Sequence, residues 1–326
     1  MRKNARLVFY GNFLFAILKR NGNANTNVVS YRDKIEKEKT MKTNWKRAVM
    51  VGLAAAMMGT VGCKGEKNIL VIGRQAGSGT RSAFEEMVSK NGATLQSAVL
   101  TEYIEEYGDT GAVIGKVETN KTAIGYISLS ELNDRVKAIG VDGAAATVEN
   151  VQSGRYQMKR PFLLLTPTKH TLTAAAQDFF DFCMSEQGKE QVIKGGCVAA
   201  DREYAVYDGA TAISGEIVVQ GSTSMRDIMT GFIGAYAKRQ PDVKVTATYD
   251  GSSGGRKAVQ NDRIGKVIGL ASALKEADGY EEHTLCFDAI AVIVNKNNQI
   301  ENVTVEQLFD VYTGEIEKFS QMAGNE

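Results

Sequence analysis

Histidine is nearly absent from this 326-residue chain. There are two, His170 and His283, and neither has a second ligand at helical spacing, so a histidine-based metal centre has no donor set to build on. Cysteine is scarce as well. Beyond Cys63, which belongs to a leader-like segment, Cys183, Cys197 and Cys286 form an odd set with no CxxC pair and no metal-ligand spacing. Cys183, among Phe179, Phe180 and Phe182, reads as core; one disulfide is open to an exported chain, but nothing in the sequence selects a pair. No metal and no cofactor is called for. Net charge is small, +1, yet unevenly spread. Residues 1–63 hold 12 Lys/Arg against 3 Asp/Glu, which leaves 27 basic against 35 acidic side chains in the remainder. An acidic body excludes nucleic acid as the expected partner, and an anion bound here must be captured by local donors rather than by a long-range field.

Long hydrophobic runs are also missing. The apolar run Ala48 to Met58 is too short for a comfortable membrane span, but it follows Lys42, Lys46 and Arg47 and ends in small residues at Gly62-Cys63. Met41 to Cys63 therefore reads as a secretion signal. Thr60-Val61-Gly62-Cys63 resembles a bacterial lipobox, although Thr60 stands where an aliphatic residue is usual; the resemblance implies that Cys63 is lipidated and becomes the mature N-terminus. Residues 1–40 carry an apolar patch, Leu7 to Leu18, then an Asn-rich charged stretch without period. They read either as translated upstream sequence, with Met41 the start, or as an extension near the membrane.

The remainder has room for two ordinary domains, and 43% apolar residues supply their cores. From Asn68 strand and helix signals alternate: strand 68–73, helix from about 80 to 91, helix near 110–118, then strands 123–128 and 136–140. Strand 162–166 and helix 172–188 follow, Gly195-Gly196 ends a successor helix, and residues 201–213 form a polar linker. Strand 217–219 leads to the clearest helix, with Met225, Ile228, Met229, Phe232, Ile233 and Tyr236 on one stripe and Ser224 with Asp227 resembling a capping box. After Pro241-Asp242 come strands 243–248, 267–270 and 289–294, then helix 304–312.

Three strand-to-helix turns share one grammar of glycines and hydroxyls: Gly73 to Thr80 with its Arg74, Gly221-Ser222-Thr223-Ser224, and Gly251-Ser252-Ser253-Gly254-Gly255. A helix start offers unpaired N–H groups and the positive end of the helix dipole, and hydroxyls with a guanidinium complete a cage for an oxyanion. Ser78 or Thr80 could equally serve as an ordinary N-cap. The third turn also fits the G-x-S-x-G pattern of a hydrolase elbow with Ser253 as nucleophile, for which His283, in an expected solvated loop edge, would be the only downstream base.

These motifs, with Ala123 to Ser128, Val148 to Tyr156, Lys159-Arg160-Pro161, Phe287 to Asn295 and Leu308 to Gly314, resemble the phosphate-binding protein of the bacterial phosphate ABC transporter. The resemblance covers nearly everything after residue 65. It implies a two-lobed α/β periplasmic-binding-protein-like fold of type II that captures inorganic phosphate and delivers it to a membrane permease. By the family motif, Arg74, Ser78, Gly79 and Thr80 would bind phosphate from one lobe and Thr223, Ser224 and Ser252 from the other. Two acidic positions of the family pattern are replaced, by Ala76 and Ser272; Ser272 could still accept the proton that phosphate carries, as could a backbone carbonyl. The blocks stand in exchanged order, which reads as circular permutation, with one lobe formed by 66–156 plus 294–326 and the other by 157–293. The expected state is a lipid-anchored monomer on the extracytoplasmic face of the membrane. A phosphate-responsive surface sensor and a serine hydrolase are the other readings, and a fragment of a tandem protein is the rival account of the block order.

Overall fold

The computed structural model describes residues 6–10, 13–17, 66–209 and 213–322. The chain divides into two units, Met1–Glu66 and Lys67–Glu326. In the first, Arg6–Tyr10 and Phe13–Ile17 pair as an antiparallel hairpin; the leader-like segment and Cys63 lie outside the described residues.

The second unit alternates strand and helix. β1 (Leu70–Arg74) enters α1 (Gly79–Met87), followed by β2 (Glu105–Tyr107), α2 (Thr110–Thr119), β3 (Ala123–Ser128), β4 (Lys137–Val141), α3 (Val148–Gln152) and β5 (Lys159–Pro167). Then come α4 (Ala174–Met184), α5 (Glu186–Lys194), β6 (Gly215–Gly221), α6 (Arg226–Ala237), β7 (Val243–Tyr249), α7 (Ser252–Asn261), β8 (Val267–Ala271), β9 (Tyr280–Val294) and α8 (Val305–Thr313). The strands run in the order β7-β6-β8-β5-β9-β3-β1-β2. β6 is parallel to β7 and β8, β1 is parallel to β2 and β3, and β5 and β9 are antiparallel to each other. Every residue of β3 is buried, as a strand covered on both faces requires.

β9 connects two apolar cores. Its first part pairs with β5 as far as Ala289, and from Ile290 to Val294 it pairs with β3. One core gathers Ile72, Phe84, Ile124, Tyr126, Val292 and Leu308; the other gathers Phe162, Phe179, Phe182, Met229, Phe232 and Leu285. The result is a mixed α/β, two-lobed fold. Where the chain passes between the cores, Asp288 accepts from Arg160 Nε at 3.0 Å and Nη2 at 2.9 Å, from Ser128 Oγ at 2.7 Å and from Ser130 N at 3.2 Å. A buried ion pair of this kind holds only if the carboxylate's remaining lone pairs are satisfied, and the two serines do that.

Local expectations are corrected in four places. The helix read over 80–91 stops at Met87, because Asn91 and Gly92 adopt positive φ, 51° and 82°, and turn the chain into a two-residue hairpin, Ser89–Lys90 with Ala93–Thr94. The break between helix 172–188 and its successor falls earlier, at Ser185, which takes extended ψ and whose Oγ caps α5 by accepting from Gly188 N at 3.2 Å. The strand expected at 289–294 begins at Tyr280, so His283 sits in a strand opposite Leu164 rather than at a loop edge. Ser224 and Asp227 form no capping box; a 3-10 turn, Thr223–Met225, precedes α6, whose N-cap Met225 has no side-chain bond.

Candidate functional site

β1 ends in Arg74, whose guanidinium is held almost entirely out of water, with 1% of the residue exposed. Nε donates to the carbonyl of Tyr107 at 3.2 Å and Nη2 to that of Gly108 at 2.8 Å, so the β2–α2 turn fixes the plane of the fork. Nη1 reaches Thr110 Oγ1 at 3.4 Å, and Nη2 also reaches Thr223 Oγ1 of the other lobe at 2.8 Å. Burial lowers the pKa of Arg74, but a guanidinium starts so high that it stays charged.

Ser78 is the N-cap of α1 and accepts from Arg81 N at 3.3 Å. That bond serves one first-turn amide, which leaves those of Gly79 and Thr80 outside the helix's own ladder. The helix start is held from beneath by aromatics. Phe84 stacks on Tyr126 at 3.9 Å, Tyr312 packs edge-on to Phe84 at 4.9 Å, and Tyr126 Oη accepts from Arg74 N at 3.2 Å. Tyr312 Oη donates to Ile72 O at 2.8 Å, and burial raises both phenols, so they remain neutral hydrogen-bonding groups.

The other lobe brings its two serine-rich turns to the same place. Ser224 Oγ lies 2.6 Å from Thr80 Oγ1. Ser222 Oγ donates to Ser272 Oγ at 2.9 Å, Ser252 Oγ accepts from Ser272 N at 3.1 Å, and the Ser252 and Ser272 hydroxyls are 3.4 Å apart. A Cβ on Gly79 would crowd the Ser252 and Ser272 hydroxyls, so any other residue there would displace both from their present positions. The start of α7 closes on the first lobe as well: Ser253 N donates to Gly77 O at 3.2 Å, with Gly77 and Gly251 in the positive-φ region at 90° and 97°.

All eight residues expected from the sequence thus gather at one lobe interface, seven of them through contacts among themselves and Ser78 as the cap beside them. Each of Arg74, Ser78, Thr80, Thr223, Ser224, Ser252 and Ser272 is buried. The assembly has the chemistry of an oxyanion site: one fixed cation, several hydroxyls and two helix starts, with these side chains buried. The histidine that a hydrolase built on Ser253 would need is engaged elsewhere. His283 Nε2 shares a 2.8 Å hydrogen bond with Thr166 Oγ1 and its ring meets Phe180 edge-on, and among the described residues no hydrogen bond joins it to Ser253.

The sequence did not reveal Glu131. It lies in the 3-10 turn Leu129–Glu131 after β3, bonds Thr110, and leaves Oε2 buried with no hydrogen-bond partner among the described residues. Burial, opposed by the Thr110 bond and reinforced by Asp227 and Asp288, pushes its carboxyl up to about 7. Thr110 thus links this acid to Arg74. No spacing rule flags it, because every one of those contacts is tertiary.

Two lobes joined by a shared strand, with facing helix starts between them, define a solute-binding architecture. The chain belongs to the PBP superfamily: the family model described as PBP superfamily domain matches residues 4–187 and 207–326. It is 34% identical over 255 residues to the phosphate-binding protein PstS 2 of Streptococcus pneumoniae serotype 4, covering 76% of this chain and 85% of the relative. With the PstS 2 of Streptococcus agalactiae serotype V it shares 30% identity over 282 residues, 84% of this chain and 94% of that one. The crystal structure of a phosphate ABC transporter phosphate-binding protein from S. pneumoniae TIGR4 superimposes with a TM-score of 0.60 at 32% identity, covering 78% of this chain and 99% of the other.

Proposed function

We propose that the chain is an extracytoplasmic solute-binding protein that captures inorganic phosphate between its lobes and delivers it to the permease of an ABC transporter. The observation that carries this reading is the convergence of Arg74, Gly79 and Thr80 with Thr223, Ser224, Ser252 and Ser272. Arg74 supplies the charge, and its fork is already oriented by the Tyr107 and Gly108 carbonyls, so little entropy is lost when an oxyanion arrives. The hydroxyls and first-turn amides replace the ligand's water. A hydroxyl has one donor and two lone pairs, so Ser272, which accepts from Ser222, keeps capacity to receive the proton of hydrogen phosphate. It thereby takes the place of an acid at that position. The names of the PstS 2 relatives support phosphate as the solute.

In the same reading Cys63 is the lipidated N-terminus of a monomer, and the halves of the chain stand in circularly permuted order. A fragment of a tandem protein is the rival account of that order. The lobes are then residues 66–156 with 294–326, and 157–293. Equilibrium dialysis with labelled phosphate, combined with light scattering, tests this. One phosphate per chain at every dilution is expected; binding confined to a dimer would count against the permuted monomer. Retention of affinity in the double variant Thr223→Val, Ser224→Ala would count against the pocket.

A further inference from the structure

We infer that, in a site that binds phosphate as proposed above, Arg256 is a positioning residue: it fixes the segment that carries Ser272 and so sets the preference for hydrogen phosphate over a fully ionised oxyanion. Between β8 and β9 the chain runs from Ser272 to Gly279, outside any strand, and residues 274–278 are exposed. Such a connection has no ladder of its own. One face of α7 supplies bonds instead, since Ser252, Arg256 and Gln260 follow one another at intervals of four and stand in a row along the helix. Ser252 Oγ accepts from Ser272 N at 3.1 Å, Arg256 Nη2 donates to the carbonyl of Ala273, and Gln260 Nε2 donates to that of Asp278 at 2.8 Å. Arg256 Nη2 also donates to Glu282 Oε1 at 3.1 Å, and both oxygens of that carboxylate accept from Lys275 N at 3.2 Å. Arg256 thus holds Ala273 directly and Lys275 through Glu282. The helix behind it is itself seated against the sheet, for a Cβ on Gly255 would lie 2.6 Å from the carbonyl oxygen of Gln220 and 2.7 Å from that of Leu270.

Stability alone does not call for a buried guanidinium here. A buried ion pair is often no better than apolar residues of similar volume, and Arg256 leaves its Nε buried with no hydrogen-bond partner among the described residues. What the side chain contributes is placement. The Ser272 hydroxyl accepts from Ser222 Oγ at 2.9 Å and lies 3.4 Å from that of Ser252, so its second lone pair is aimed by where the backbone holds residue 272. A carboxylate would draw a proton toward it by charge; a neutral hydroxyl acts through distance and angle, and a hydrogen bond weakens steeply when either is lost. Hydrogen phosphate brings the proton that uses this acceptor, whereas sulfate does not. A shift at Ser272 is therefore felt chiefly by phosphate.

The test titrates Arg256→Met and Arg256→Lys, made in the full chain and again in a Ser272→Ala background, with phosphate and with sulfate. Arg256→Met should raise the phosphate Kd by roughly 3- to 10-fold, the reach of one neutral hydrogen bond, and the sulfate Kd by less than about twofold. Arg256→Lys, which keeps the charge and a single donor, should fall between parent and methionine variant. With Ser272→Ala already in place, Arg256→Met should move the phosphate Kd by less than about twofold, because the two changes remove the same interaction. A merely structural role would lower Tm and weaken both anions alike in either background, and that result would overturn the inference. Hydrogen exchange of the ligand-free proteins reads the placement without phosphate: a peptide covering 272–278 should exchange faster in Arg256→Met than in the parent, and unchanged exchange there would equally overturn it. Should the methionine variant fail to fold, the lysine variant carries the same readings. A folded parent that binds no phosphate refutes the proposed function, and the exchange result then decides the positioning on its own.

Discussion

Removing the Arg74 guanidinium should weaken phosphate binding while leaving the lobes folded. Its donors serve two purposes, since Nε and Nη2 hold the carbonyls of Tyr107 and Gly108, while Nη1 and Nη2 face Thr110 and Thr223 at the lobe interface. A hydrogen bond to a charged group contributes about 1.5–3 kcal/mol, so Arg74→Ala should raise Kd by roughly 10- to 150-fold. Arg74→Lys keeps the charge but not the planar fork, and its Kd should fall between those of the parent and the alanine variant. Titration calorimetry measures the affinities, and thermal melts of the free proteins separate lost binding from lost stability. Alanine also takes the Arg74 donor from the Gly108 carbonyl, while that of Tyr107 keeps the Gln75 N–H at 3.0 Å, a stability cost of about 1–3 kcal/mol that the melts will register. An Arg74→Ala protein that folds and binds phosphate as tightly as the parent would refute the assignment of the pocket.

Three other perturbations probe the lobe junction, the buried acid and the membrane anchor. Asp288→Ala strands the Arg160 charge, whose side chain has no exposure, and should cost about 3–5 kcal/mol of unfolding free energy in denaturant titrations; a loss below about 1 kcal/mol would mean the junction is not held by this pair. Glu131 gives a pH dependence. A carboxyl moved from its ordinary 4.5 to about 7 binds its proton more tightly in the folded state, so stability is fully present below about 4.5 and declines as pH rises through about 7. Glu131→Gln should remove that decline, and identical slopes of denaturation midpoint against pH for parent and variant would contradict it. Cys63→Ser should leave the protein either released from the membrane fraction or as unprocessed precursor; a mature N-terminus elsewhere, found by mass spectrometry, would sink the lipid-anchor proposal.

Much of the site was legible because its grammar is local. A strand that ends in small residues and hydroxyls before an amphipathic helix reads directly as a helix start with free donors, and Arg74, Thr80, Ser224 and Ser252 all lie in such turns. What the sequence hid was tertiary. The capping box inferred from Ser224 and Asp227 obeys local spacing, yet the Ser224 hydroxyl is at Thr80 in the opposite lobe. Helix 172–188 looked continuous because Ser185 does not interrupt the pattern; the break falls at Ser185, and Gly188 permits it, since a Cβ at 188 would overlap the Cys183 carbonyl oxygen. The first half of β9 was obscured by Glu281, Glu282, His283 and Thr284, whose polarity reads as loop until their pairing with β5 is seen. Glu131 carries no spacing signal at all, since Thr110, Arg160 and Asp227 reach it from other elements.

The most direct measurement is calorimetric titration of the mature protein with phosphate, sulfate, arsenate and molybdate in turn. One phosphate should bind per chain. Sulfate should bind more weakly, because its oxygens bring no proton to the Ser272 hydroxyl and so lose a bond that hydrogen phosphate makes. Absence of phosphate binding by a folded protein, or sulfate bound as tightly as phosphate, would contradict this picture of the site.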